Sequence, residues 1–196
     1  MTTPARTTLV LGGSRSGKSV VAERLLRHES TVTYVATGPV PDSGDLEWSR
    51  RVERHRARRP AGWTTVETAD LAGALRRAPG AVLIDAVGSW LTGVLDQTGA
   101  WDDSPGWSAA CTARTDELER AWGDARGPVV AVSDEVGSGV VPATASGRLF
   151  RDLLGELNAR LSLAADRAVL VVAGRLLDLS HPDALLGDPT SLLEAP

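Results

Sequence analysis

Cysteine occurs once in this sequence of 196 residues, as Cys111, which excludes an internal disulfide and any cysteine-based metal cage. Lysine is as scarce: of the 21 lysines and arginines, only Lys18 is a lysine. No stretch approaches the roughly 20 apolar residues that a membrane-spanning helix needs. The apolar run in "MTTPARTTLVLGG" is too short for the core of a secretory signal. A cationic excess is also missing, and the net charge of −4 argues against nucleic-acid binding by bulk electrostatics. There is no internal repeat and no linker-like composition shift. What remains is 42% hydrophobic and 23% charged residues, the balance of a globular rather than a disordered chain. The expectation is a cytoplasmic enzyme or binding domain spanning residues 1–176. A loosely packed tail is expected over 177–196, where "DLSHPDALLGDPTSLLEAP" carries three prolines.

Short apolar runs alternate with helical patterns. Strands are expected at 7–13, 31–37, 81–87, 129–136 and 168–174, with a shorter one at 63–67. Most lack polar alternation, which suits strands covered on both faces of a parallel sheet. Helices are expected at 17–28, about 45–58, 69–77, 89–97, 108–124 and 144–165. Strands alternating with helices predict right-handed βαβ crossovers and an α/β fold.

The stretch Gly12–Gly13–Ser14–Arg15–Ser16–Gly17–Lys18–Ser19 matches G-x-x-x-x-G-K-[ST]. It follows an apolar strand and opens a helix, the setting the motif needs. Glycines let backbone N–H groups converge on phosphate oxygens, and the helix N-terminus adds partial positive charge. Lys18 is expected to reach the β- and γ-phosphates, and the Ser19 hydroxyl to ligate Mg²⁺. At the ends of two other strands stand Asp85 and the pair Asp134–Glu135. Either is a candidate partner for the metal or nucleotide, or a cap for the helix that follows.

The segment "RRVERHRARRP", residues 50–60, packs six arginines, one glutamate and one histidine before Pro60. On a helix Arg51, His55 and Arg59 share a face, with Arg58 adjacent. Such a face holds polyphosphate and keeps the imidazole neutral, and a neutral imidazole near phosphorus is a nucleophile. Spacing alone nevertheless favours a solvated basic helix, with a nucleic-acid patch as a further alternative. His28 closes the first helix, where a cation suits the C-terminal dipole, and His181 falls in the tail.

Taken together, the pieces "LVLGGSRSGKSVVAE", "YVATG", "RVERHRARRPAGWTTVE", "VLIDAVGSWLTGVL", "VSDEVGSGVVP" and "GRLFRDLLGELNARLSLAADRAVLVVAG" resemble the bifunctional adenosylcobinamide kinase / adenosylcobinamide-phosphate guanylyltransferase family of cobalamin biosynthesis. The resemblance implies a RecA-like P-loop NTPase fold, a mostly parallel sheet flanked by helices. It implies two reactions, phosphorylation of adenosylcobinamide by GTP or ATP and transfer of GMP from GTP to adenosylcobinamide phosphate. It makes His55, with Lys18, a catalytic residue, through a covalent GMP–histidine, and so reverses the reading from spacing. By the same resemblance Ala36, Thr37, Gly38, Arg59, Pro60, Ala61, Gly62, Glu67 and Asp85 contact the nucleotide, while the motif and the strand-end position put Ser19 and Asp85 on Mg²⁺. A homo-oligomer such as a trimer is implied, with small-molecule substrates, no nucleic acid and no membrane span. The chain departs from the family pattern at Asp134, where Asn is usual, at Ala86 for Cys, and at Ala159 for Gln.

Other readings of the residues are a P-loop kinase of another small molecule, without a covalent intermediate, and a non-enzymatic nucleotide switch. The switch is disfavoured, because the chain has no N-K-x-D guanine-reading motif. Arg148, Arg151 and Asp152 either meet phosphate or substrate, or form an i, i+4 pair between Arg148 and Asp152. Trp48, Trp90, Trp101, Trp107 and Trp122 are expected in core or interface packing rather than against a ring-shaped ligand.

Overall fold

A computed structural model of the protein describes residues 5–38, 50, 53 and 59–180. Its chain order is β1 (Thr7–Gly12), α1 (Lys18–Leu25), β2 (Val32–Ala36), β3 (Trp63–Glu67), α2 (Leu71–Arg77), β4 (Ala81–Asp85), α3 (Val87–Thr98), α4 (Trp107–Gly123), β5 (Val129–Asp134), α5 (Ala145–Leu163), β6 (Arg167–Val172) and β7 (Arg175–Asp178). The seven strands form one sheet in the order β3-β2-β4-β5-β1-β6-β7. The first six are mutually parallel, and β7 joins β6 antiparallel. The expected mostly parallel α/β sheet flanked by helices is therefore observed.

The apolar strands alternate between two cores. Leu9, Leu11, Val35, Val82, Ile84 and Ala131 pack with buried residues of α2, α3, α4 and α5. Val10, Tyr34, Leu83, Val132 and Val169 pack on the other face with Ala22 of α1 and with Leu26. Both faces of β1, β4 and β5 are thus covered, which explains why these strands read as unbroken apolar runs. Trp90 and Trp122 are buried in the first core, and Trp101 and Trp107 pack partly against it. Trp48 and the expected helix over 45–58 fall outside the described residues, apart from helical Arg50 and Glu53.

Local chemistry sets several boundaries. Asp70 caps α2, accepting from Gly73 N at 2.8 Å, so that helix starts at 71 rather than 69. Thr144 caps α5 in the same way through Gly147 N at 3.1 Å. The run 81–87 divides at Ala86, which is the N-cap of α3, because an apolar strand passes into an apolar helix with no polar residue to mark the junction. The expectations for α1 and β5 run two to three residues past the observed ends at Leu25 and Asp134. Strand β7 was not anticipated, and it carries regular structure two residues past the expected domain boundary at 176. No helix among the described residues is long and apolar enough to cross a membrane.

Candidate functional site: a phosphate loop and a row of carboxylates

All six parallel strands present their C-terminal ends to one edge of the sheet, the edge where open α/β sheets bind ligands. The phosphate loop lies there between β1 and α1. A Cβ on Gly12 would stand 2.5 Å from Ser16 Oγ and 2.7 Å from Val171 O, so only glycine lets the loop close this tightly. Gly17, the N-cap of α1, has φ +98°, in the left-handed region that favours glycine. The loop is held by Ser16 N donating to Gly13 O at 3.3 Å, and by Gly174 N of the β6–β7 turn donating to Ser16 O at 3.0 Å. Gly13, Ser14 and Arg15 are exposed at its crest, while Ser16, Gly17 and Ser19 are half-buried. No side chain of the N-cap residue caps α1 and no acid stands in its first turn, although the Lys18 N–H makes a long contact to Ser16 Oγ at 3.4 Å, so this helix start suits an anion.

Lys18 is 8% exposed. Its Nζ donates to Gly13 O at 3.1 Å and pairs with Asp134 Oδ1 at 2.6 Å. The carboxylate beside the phosphate-loop lysine is therefore that of Asp134, at the end of β5 and in register with Gly12. Asp85 stands on β4, which pairs with β5 rather than with β1, and is in register with Val132. Glu135 accepts from Gly137 N at 2.8 Å, shaping the loop after β5.

Asp85 belongs to a second cluster. Ala36 is in register with both Asp85 and Glu67, so the two acids flank a small residue on one face of the sheet. Tyr34, buried two residues earlier on that face, donates its hydroxyl to Asp85 Oδ2. Burial foremost, and then the Asp85 charge, push the Tyr34 hydroxyl well above the usual phenol range, so it stays a donor. The Arg59 guanidinium lies over the Tyr34 ring, 3.3 Å from its centroid, and its Nη1 donates to Thr65 Oγ1 at 2.8 Å. Arg59 Nε is buried and has no hydrogen-bond partner among the described residues. Thr37 clamps the neighbouring loop, donating to Ala86 O at 2.6 Å and accepting from Ala86 N at 3.1 Å. Gly38 is half-buried beside it and Glu67 is exposed on the same rim, whereas Pro60, Ala61 and Gly62 are exposed at the other end of β3, where a Cβ on Gly62 would lie 3.6 Å from Ser30 O.

The sheet thus gathers the phosphate loop, Ala36–Gly38, Glu67 and Asp85 along one edge, and the Arg59 guanidinium reaches toward it over Tyr34, whereas Pro60–Gly62 stand at the opposite edge, where β3 begins. His55 falls outside the described residues. Tyr34 is the residue that sequence reasoning missed, and its only signal is a lone tyrosine inside an apolar strand. The pairing of Arg148 with Asp152 does not occur: Arg148 donates to Pro142 O at 2.9 Å and Ala143 O at 2.8 Å, and Asp152 pairs with Arg151 at 2.9 Å. Among the described residues no three His, Cys, Asp or Glu side chains converge as a metal cage. A hydroxyl at Ser19 with carboxylates at two strand ends instead fits Mg²⁺, which is usually held by one or two carboxylates and by substrate phosphates.

A family model described as cobinamide kinase / cobinamide phosphate guanyltransferase matches residues 8–179. The bifunctional adenosylcobalamin biosynthesis protein CobU of Salmonella typhimurium is 37% identical over 180 residues, covering 85% of this chain and 95% of that protein. CobP of Pseudomonas aeruginosa, which has the same description, is 37% identical over 186 residues, covering 92% and 98%. A solved ATPase from a type III secretion system superposes with a TM-score of 0.53 at 12% identity, covering 84% of this chain and 50% of that one. That likeness carries the fold alone, a RecA-like P-loop ATPase sheet.

Proposed function

This chain belongs to the cobinamide kinase / cobinamide phosphate guanyltransferase family, and on that premise we propose that its carboxylate-lined sheet edge carries both reactions, with His55 as the residue that holds GMP. In the first, the hydroxyl of adenosylcobinamide attacks the γ-phosphorus of GTP or ATP, the bond to the β–γ bridging oxygen breaks, and the nucleoside diphosphate leaves. In the second, the neutral imidazole of His55 attacks the α-phosphorus of GTP and pyrophosphate leaves. The phosphate of adenosylcobinamide phosphate then attacks that phosphorus, the P–N bond breaks, and adenosyl-GDP-cobinamide forms.

Lys18, Arg15 and the N–H groups of the phosphate loop bind the polyphosphate and meet the charge that develops on it. Ala36–Gly38, the Arg59 side chain and Glu67 line the nucleotide. Ser19 and Asp85 would hold Mg²⁺, which when bound neutralises phosphate charge. The homo-oligomer, in the form of a trimer, belongs to the same reading, and light scattering checks it.

The observation that supports this reading is the anchoring of Arg59 on Tyr34, which is itself bonded to Asp85. The end of the arginine-rich run is thereby tied to the nucleotide edge. Incubation with α-labelled GTP should leave an acid-labile label on the protein, and His55→Ala should take up none while still phosphorylating adenosylcobinamide. Full labelling of His55→Ala would overturn the assignment. Absence of label on the native chain, with product formed from the γ-phosphate, would leave a kinase without the covalent step.

A further inference from the structure

The ammonium of Lys18, the buried cation of the phosphate loop, is already matched by a carboxylate. It lies 2.6 Å from Asp134 Oδ1 and 3.1 Å from Gly13 O. Asp134 is in register with Gly12, so its carboxylate rises where the loop begins. Its other oxygen faces the first turn of α3, where a Cβ on Gly88 would lie 3.4 Å from Oδ2. The backbone is fixed by α5, which packs in the same core as α3. Asn158 Nδ2 donates to Asp134 O at 3.0 Å, and Ser133 Oγ donates to Asn158 Oδ1 at 2.6 Å. The carboxylate therefore stays beside the place where phosphate must go.

We propose that Asp134 is a specificity-determining residue that makes the phosphate loop discriminate against metal-free nucleoside triphosphate and accept its Mg²⁺ complex. The proposal rests on nucleotide binding at this loop. To reach Lys18, a phosphate oxygen takes the ammonium from Asp134. That leaves a carboxylate without its partner next to a polyanion, and the like charges repel at close range even though the Asp134 side chain is 42% exposed. A divalent cation carried in with the nucleotide supplies the missing positive charge to both carboxylate and phosphate. A neutral amide at position 134 would impose no such condition.

Calorimetric titration of the full chain with GTP, in excess Mg²⁺ and separately in EDTA, tests this without reference to turnover. Asp134→Asn should tighten metal-free GTP binding by about tenfold or more, and shrink the ratio of the two affinities by a similar factor. Asp134→Glu, which keeps the charge, should keep the native ratio. Thermal melting in the absence of nucleotide establishes that each variant is folded. An unchanged ratio in Asp134→Asn, or an equal change in both affinities, overturns the role of Asp134. Lys18→Ala should weaken both forms severely. If it binds both as tightly as the native chain, nucleotide binding at this loop falls as well.

Discussion

Tyr34 is the only tyrosine in the chain, and its hydroxyl is spent on Asp85. The ring below Arg59 and the bond to Asp85 make separable contributions. Tyr34→Phe keeps the ring and removes the donor, so the urea midpoint should fall by an amount equivalent to about 1 kcal/mol. If Asp85 serves the nucleotide, kcat of the kinase reaction should also fall, by about tenfold, with KM for adenosylcobinamide little changed. A loss of stability with native kcat would make the bond purely structural. The residue scale is also where the sequence was most and least legible. The phosphate loop could be read because its spacing encodes a backbone shape, with glycine demanded at Gly12 by close approach and at Gly17 by a left-handed φ. Lys18 stood out because every other position of its charge type had become arginine. Tyr34 stayed hidden because a polar tip on a buried apolar body looks like any other core residue of a strand.

Among the elements, α5 controls the site from a distance. Its Asn158 is buried and bridges Ser133 Oγ to the Asp134 carbonyl, which locks the end of β5. Asn158→Ala should cost about 2 kcal/mol, because it leaves Ser133 and a backbone carbonyl unsatisfied in the core. Denaturant unfolding measures that cost, and an unaltered midpoint would mean that water replaces the amide. Element type was largely legible, since buried parallel strands announce themselves as apolar runs. Element ends were less so. The join between β4 and α3 at Ala86 has no capping side chain, and both partners are apolar. Strand β7 is four residues long and follows a turn, so nothing in "RLLD" separates it from the tail.

For the whole molecule, three carboxylates hold folded contacts at strand and helix ends, and their titration contributes to the loss of stability in acid. Asp166 accepts from Thr7 N and Arg6 N, which hold its carboxyl below the usual range and fasten the start of β1. Asp70 is lowered chiefly by the Gly73 N–H at the cap of α2. Asp178 is pushed down to about 2, chiefly by Ser180 and also by Arg167 across the β6–β7 pair. All three have lower values folded than unfolded, so the unfolded chain takes up protons first. Their stabilisation is complete above the ordinary carboxylate value near 3.8 and is lost as pH falls from there toward 2. Urea midpoints measured from pH 6 to 2.5 should drop in that window, and Asp166→Asn should flatten the drop.

The same edge of the molecule has a consequence for anyone who would shorten or extend it. Ala173 and Gly174, both with positive φ, close the β6–β7 hairpin, and the Gly174 N–H is bonded to Ser16 O. The outermost strand is therefore a prop beneath the phosphate loop. A chain cut before residue 173, or a fusion that pulls β7 out of line, would slacken the nucleotide cradle from the far side of the sheet with every residue of "GGSRSGKS" still in place.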